Sequence, residues 1–100
     1  MEIIYLKKED NLEEIVKGKT CIVDFYADWC GPCKMLGKVL EKVEDKVQVI
    51  KVNVDDLRDL AIEHGVMSIP QIEFYKDGEM ISKKIGFMEK DEILETLDIK

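Results

Sequence analysis

Cys30 and Cys33, two thiols with two residues between them, are the side chains of this sequence best suited to chemistry. They lie in Trp29-Cys30-Gly31-Pro32-Cys33, straight after the apolar run Cys21-Ile22-Val23-Asp24-Phe25-Tyr26. That spacing puts the sulfurs one helical turn apart at a strand-to-helix junction, where a disulfide can close and open without a large movement. If the helix starts just after Cys30, that residue is the N-cap and Cys33 the third helical position. A Cys30 thiolate then accepts a hydrogen bond from the Cys33 amide and feels the positive end of the helix dipole. Both favour the anion, so its pKa is expected below the free value of about 8.5. Pro32 costs little there, because its missing N–H would lack an intrahelical partner anyway. A CxxC can equally be half of a zinc site. Here the remaining ligands are wanting: Cys21 is in the apolar run, the single histidine is His64, and no second CxxC exists.

Asp24 is the next candidate, a carboxylate inside an apolar run. Burial raises a carboxyl pKa, and a raised carboxylate can take a proton from a thiol directly or through water. The plainer alternative is a polar residue merely hydrogen-bonded at a strand end. On strict alternation Cys21 points to the face opposite Asp24, and it reads as an inert packing residue. Lys51 interrupts another apolar stretch, where a solvated lysine is less expected. His64, next to Gly65, reads as an exposed cation at a helix C-terminus without a role. Pro70 follows Ile69, and since only about 5–6% of X–Pro bonds in folded proteins are cis, spacing alone predicts trans. Trp29 is favoured as part of a contact surface, whereas Met67 and Phe87 read equally well as ordinary apolar residues.

The elements that must position these groups alternate at short spacing. Ile3 to Leu6 reads as a short strand. Asp10 followed by Glu13 is a capping-box pattern that opens a helix with Leu12, Ile15 and Val16 on one face and a stop at Gly18. Cys21 to Tyr26 has the continuous apolar character of a central strand covered on both faces. A helix from the Gly-Pro buries Met35, Leu36, Val39, Leu40 and Val43, and Val47 to Val54 returns as a strand, giving a right-handed parallel crossover. Leu57 to His64 is a short helix ending at Gly65. Gln71 to Tyr75 and Met80 to Ile85 form a hairpin around Asp77-Gly78. Lys90 to Leu97 is a last helix with Ile93, Leu94 and Leu97 as its stripe, and Glu89, Asp91, Glu92 and Glu95 near its start suit the dipole. The order β-α-β-α-β-α-β-β-α is that of an α/β fold with a mixed sheet and helices on both sides.

A chain of 100 residues makes one domain, 1–100, large enough for a modest core. It is 46% hydrophobic and 37% charged, with two Asn and two Gln, a Lys/Glu-rich and amide-poor usage that resembles heat-adapted proteins. A net charge of -7 with a single arginine argues against general nucleic-acid binding, which needs clustered cations. The apolar stretch near the start is four residues long and is followed by charges, unlike a signal peptide or a membrane span. Three cysteines cannot all pair within the chain, and a reducing cytoplasm fits best.

Val23-Asp24-Phe25-Tyr26-Ala27-Asp28-Trp29-Cys30-Gly31-Pro32-Cys33-Lys34-Met35 resembles the active-site signature of the thioredoxin family. Ile69-Pro70, Tyr75-Lys76-Asp77-Gly78-Glu79 and Ile85-Gly86 continue the match in order, so it covers essentially the whole chain. There are departures: Tyr26 is often Trp in the family, Lys38 replaces a helix proline, and Gln71 stands where Thr usually follows the proline. The resemblance implies a thioredoxin fold, a central mixed sheet of about five strands flanked by about four helices. It implies a cis Ile69-Pro70 peptide beside the cysteines and a lysine near the aspartate, here Lys51. It also implies a contact surface of Trp29, Gly31, Pro32, Ile69 and Pro70, and chemistry at Cys30, Cys33, Asp24 and Lys51 without cofactor or metal. The function implied is that of a monomeric cytoplasmic reductase of protein disulfides. Such a protein is recharged by a thioredoxin reductase, either NADPH-flavin or ferredoxin-linked. Gly-Pro between the cysteines resembles the reducing members; the alternatives are an oxidant or isomerase of this fold, a glutaredoxin-like protein, or a binding module without turnover.

Overall fold

In the computed structural model, which describes residues 2–99, with Met1 and Lys100 outside the described residues, nine elements follow one another. They are β1 (Ile4–Tyr5), α1 (Leu12–Val16), β2 (Cys21–Tyr26), α2 (Gly31–Val43), β3 (Gln48–Asn53), α3 (Arg58–Glu63), β4 (Gln71–Lys76), β5 (Glu79–Ile85) and α4 (Lys90–Thr96). The strands form one five-stranded sheet in the order β1-β3-β2-β4-β5. β1, β3 and β2 run parallel, while β4 is antiparallel to β2 and β5 to β4. The order of elements and the mixed sheet match expectation; β1 is shorter than residues 3–6.

Alternation along β2 divides the core. Ile22 joins Val49, Ile72 and Phe74 under α2 and α4, whose Leu36, Leu40, Val43, Ile93 and Leu94 complete one apolar layer. Cys21, Val23 and Phe25 point the other way, toward Leu12 and Val16 of α1 and Leu57 and Leu60 around α3. Because both faces are covered, β2 can be apolar at nearly every position, and Asp24 shares the α2 side with Ile22.

Two local readings are corrected. Asn11, not Asp10, caps α1: its Oδ1 accepts from the Glu14 amide at 3.2 Å, while Asp10 Oδ2 accepts from the Lys7 amide at 2.8 Å in the preceding turn. Met35, expected inside, is 57% exposed. Leu36, Leu40 and Val43 form the centre of the buried stripe of α2, and Met35, a helical step of about 100° before Leu36, is turned out of it. The hairpin is as expected: Asp77 and Gly78 both have positive φ, 52° and 88°, between paired Lys76 and Glu79, the geometry of a two-residue type I′ turn.

Candidate active site

The N-terminus of α2 delivers the cysteines. Cys30 is the N-cap, with extended backbone, and its Sγ accepts from the Cys33 amide at 3.2 Å. Pro32 occupies the first turn without loss, since no intrahelical acceptor awaits its nitrogen. The Cα atoms of Cys30 and Cys33 are 5.2 Å apart and the two sulfurs are joined in a disulfide. Both residues are buried with Ala27, flanked by Tyr26, Val54 and Ile69. Gly31 and Pro32 between them are exposed.

A second segment approaches the sulfurs from β4. The Ile69-Pro70 peptide is cis, as the family resemblance implied and the spacing alone did not. The Ile69 carbonyl oxygen lies 3.9 Å from Cys30 Sγ, near enough for a weak S–H···O hydrogen bond from the reduced thiol. The Pro70 carbonyl accepts from the Gly86 amide at 2.8 Å, which ties this segment to the end of β5. Trp29 is 71% exposed beside the disulfide loop, with its indole N–H donating to Asp55 Oδ2 at 2.9 Å. Asn53 Oδ1 in turn accepts from the Asp55 and Asp56 amides, which fixes that turn. Met67 and Phe87 are surface residues rather than core.

Asp24 is fully buried, and among the described residues neither of its oxygens has a hydrogen-bond partner. Lys51, its register partner on β3, places Nζ 3.6 Å from Asp24 Oδ2, an ion-pair contact too long for a good hydrogen bond. Burial and the lysine therefore act in opposite directions on the carboxyl. Burial prevails, and the pKa is pushed up to about 6. The Lys51 ammonium also lies 4.3 Å from the centre of the Tyr26 ring, a cation–π contact that helps hold it. Gly37 in α2 leaves space for it: a Cβ there would stand 3.3 Å from Nζ.

Cys21 and His64 do not join this site. Cys21 is enclosed on the opposite side of the sheet, and burial pushes its thiol up to about 11. His64 is not the free surface cation expected: its Nδ1 meets the buried Glu73 carboxylate at 2.9 Å and its ring packs on Phe25. Glu73 escaped notice in the sequence because it alternates with Ile72 and Phe74, the pattern of a strand with one wet face. The available signal was the position of that strand beside β2 in a sheet covered on both sides.

Two sulfurs joined in a disulfide at a helix N-terminus, with backbone from another segment in reach, fit a thiol-disulfide oxidoreductase. The model of the thioredoxin family matches residues 2–99. A thioredoxin of Mycoplasmoides gallisepticum is 40% identical over 97 residues, covering 93% of this chain and 97% of the relative. Among solved structures, a mutant thioredoxin from Halobacterium salinarum superposes with a TM-score of 0.88 at 31% identity, covering 97% of this chain and 88% of that one. A reduced Schistosoma mansoni thioredoxin gives 0.86 at 29% identity, covering 98% and 97%. The chain belongs to the thioredoxin family, and membership implies disulfide-bearing targets and a reductase that recharges it.

Proposed function

We propose that this thioredoxin-family oxidoreductase works in the reducing direction on protein disulfides, as a single domain, 1–100, with Cys30 as nucleophile and Cys33 as resolving thiol. The Cys30 N-cap geometry carries this reading: the Cys33 amide at 3.2 Å and the helix dipole both stabilise a thiolate at Cys30. The thiolate attacks one sulfur of the target disulfide, the target S–S bond breaks, and the departing sulfur takes a proton. The product is a mixed disulfide through Cys30. Cys33 then loses its proton and attacks Cys30 Sγ, releasing the second target thiol and closing Cys30–Cys33. Two electrons have moved from the dithiol to the target.

Asp24 is the proposed acceptor of the Cys33 proton, directly or through water, and Lys51 is the positioning charge that limits how far burial raises it. A carboxyl with a pKa of about 6 is mostly ionised at neutral pH yet holds a proton far better than a solvated aspartate. Trp29, Gly31, Pro32, Ile69 and Pro70 form the contact surface, with the Ile69 backbone offered to an extended target segment and the Pro70 carbonyl held by the Gly86 amide. The reductase that returns the two electrons is an NADPH-flavin or a ferredoxin-linked enzyme. The protein acts as a cytoplasmic monomer. Among the described residues no helix is long and apolar enough to cross a membrane, and none of these steps calls for a cofactor or metal within the chain.

Trapping tests the assignment of roles. A Cys33→Ser variant should accumulate a covalent complex with a disulfide-bonded target, visible on non-reducing gels and lost with dithiothreitol, whereas Cys30→Ser should not. Equal trapping by both would reverse or dissolve the roles. Full partner function in a Cys30→Ser/Cys33→Ser double variant would replace the reductase by a binding module.

A further inference from the structure

A second carboxylate is buried on the sheet face opposite Asp24, and the disulfide chemistry does not use it. Glu73, in the middle of β4, is 1% exposed. His64 Nδ1 lies 3.0 and 2.9 Å from its two oxygens, the Tyr75 hydroxyl donates to Oε1 at 2.7 Å, and Gln71 Nε2 donates to Oε2 at 3.3 Å. Withdrawing a carboxylate from water costs least where donors replace the water, and even then an apolar side chain would fill the same space at lower cost. The network must therefore be judged by what it joins.

It joins the two ends of one segment. His64 caps the C-terminus of α3 and Gln71 opens β4, and Gln71 Nε2 also reaches the His64 carbonyl at 3.4 Å. Residues 66–70 between them belong to no helix or strand. They turn at Gly65, φ +65°, are fixed early by the Val66 amide on the Ala61 carbonyl, and carry Met67, which is 93% exposed. The segment ends in Ile69-Pro70, whose Ile69 carbonyl stands 3.9 Å from Cys30 Sγ.

We infer that Glu73, His64 and Gln71 are positioning residues, a brace behind the sheet that closes the 64–71 segment and so sets the Ile69-Pro70 edge against the disulfide. This inference rests on the proposed contact of Ile69 and Pro70 with the target. His64 is the adjustable member, because protonation adds a cation to the hydrogen bond its ring makes with the buried Glu73 carboxylate and so strengthens it. Glu73 and Tyr75 of β4 face it, and Glu63 adjoins it on α3. Cys21 of β2 lies opposite Tyr75, and Glu13 and Lys17 around α1, with Asp77 and Glu79 of the hairpin, border the cleft that His64 lines. The hydrogen bond to Glu73 raises the His64 pKa against the opposing effect of burial, so the brace is tight below that pKa and slackens as pH rises through it.

The test follows the His64 ring and the amides of residues 66–69 by NMR from about pH 5.5 to 9 in the oxidised full-length protein. An Asp24→Asn background silences the buried carboxyl, which would otherwise titrate within this range. The expected result is one midpoint shared by ring and amides, above that of free imidazole; in Glu73→Gln the ring midpoint should fall and the amide response should be lost. With insulin as the disulfide substrate, Glu73→Gln should raise KM about threefold to tenfold and leave kcat within about twofold. Amides that stay flat while His64 titrates would overturn the brace, and this arm needs no variant of the network to fold. Loss of kcat at unchanged KM would also overturn it. Amides that respond in the Asp24→Asn protein while KM and kcat are both unmoved by Glu73→Gln would support the brace and overturn the contact of Ile69-Pro70 with the target.

Discussion

Replacing Asp24 by asparagine should make this protein more stable, and increasingly so as pH rises. The carboxyl is fully buried beside a lysine 3.6 Å away, and its folded pKa is about 6 against an ordinary 3.8. A raised carboxyl pKa means that the folded state holds the proton more tightly than the unfolded chain. The favourable contribution of Asp24 is therefore fully present below pH 3.8 and is lost as pH rises through about 6. At about 1.36 kcal/mol for each tenfold difference in proton affinity, the gap is worth about 3 kcal/mol. The amide stands in for the protonated carboxyl, so Asp24→Asn should match wild type near pH 4 and exceed it by about 3 kcal/mol at pH 8. Urea unfolding of both oxidised proteins, followed by far-UV circular dichroism at a series of pH values, measures the difference. A difference that is constant from pH 4 to 8, or a wild type that gains on the variant as pH rises, would refute the claim that burial outweighs Lys51.

The other predictions concern groups around the same core. Gly37→Ala gains up to about 1 kcal/mol of helix propensity, but its Cβ at 3.3 Å crowds Lys51 Nζ. Carbon-detected titration should then find Asp24 ionising above about 6; an unmoved midpoint would mean that Gly37 does not set the lysine. Gly78→Ala places a Cβ 2.6 Å from the Gly18 nitrogen at φ +88°, and should cost about 2 kcal/mol or more in urea unfolding. A loss below about 0.5 kcal/mol would show that the hairpin can swing away from residue 18. In the reduced protein at neutral pH, iodoacetamide should label Cys30 first and leave Cys21, buried with its thiol pushed up to about 11, unlabelled until unfolding. Labelling of Cys21 at a similar rate would contradict its enclosure.

Most of the fold could be read from residue pattern because its strands and helices keep their periods. Apart from Asp24, Cys21 to Phe25 are apolar because helices cover both faces, and Leu36, Leu40 and Val43 repeat at helical spacing. The Cys30 cap was legible for the same local reason: spacing alone sets the sulfur over the Cys33 amide. The balance at Asp24 was not, because it depends on the distance to Lys51, a residue 27 positions away that only strand pairing brings near. The cis Ile69-Pro70 peptide came from family resemblance, since local spacing favours trans. His64 and Glu73 were missed because a charged residue between Ile72 and Phe74 looks solvated until His64, at the end of α3, is brought against it. Met35 failed for the opposite reason: apolar type was mistaken for buried position at the margin of a helical stripe.

A redox titration of the Cys30–Cys33 pair against dithiothreitol and glutathione buffers, read by alkylation and mass spectrometry, tests the reductase claim most directly. The account predicts one two-electron transition confined to these two cysteines, with a potential more negative than that of the glutathione couple, so that dithiothreitol reduces the pair readily and glutathione poorly. Ready reduction by glutathione would contradict it and place the protein among the oxidants, isomerases or glutathione-recycled members of the fold.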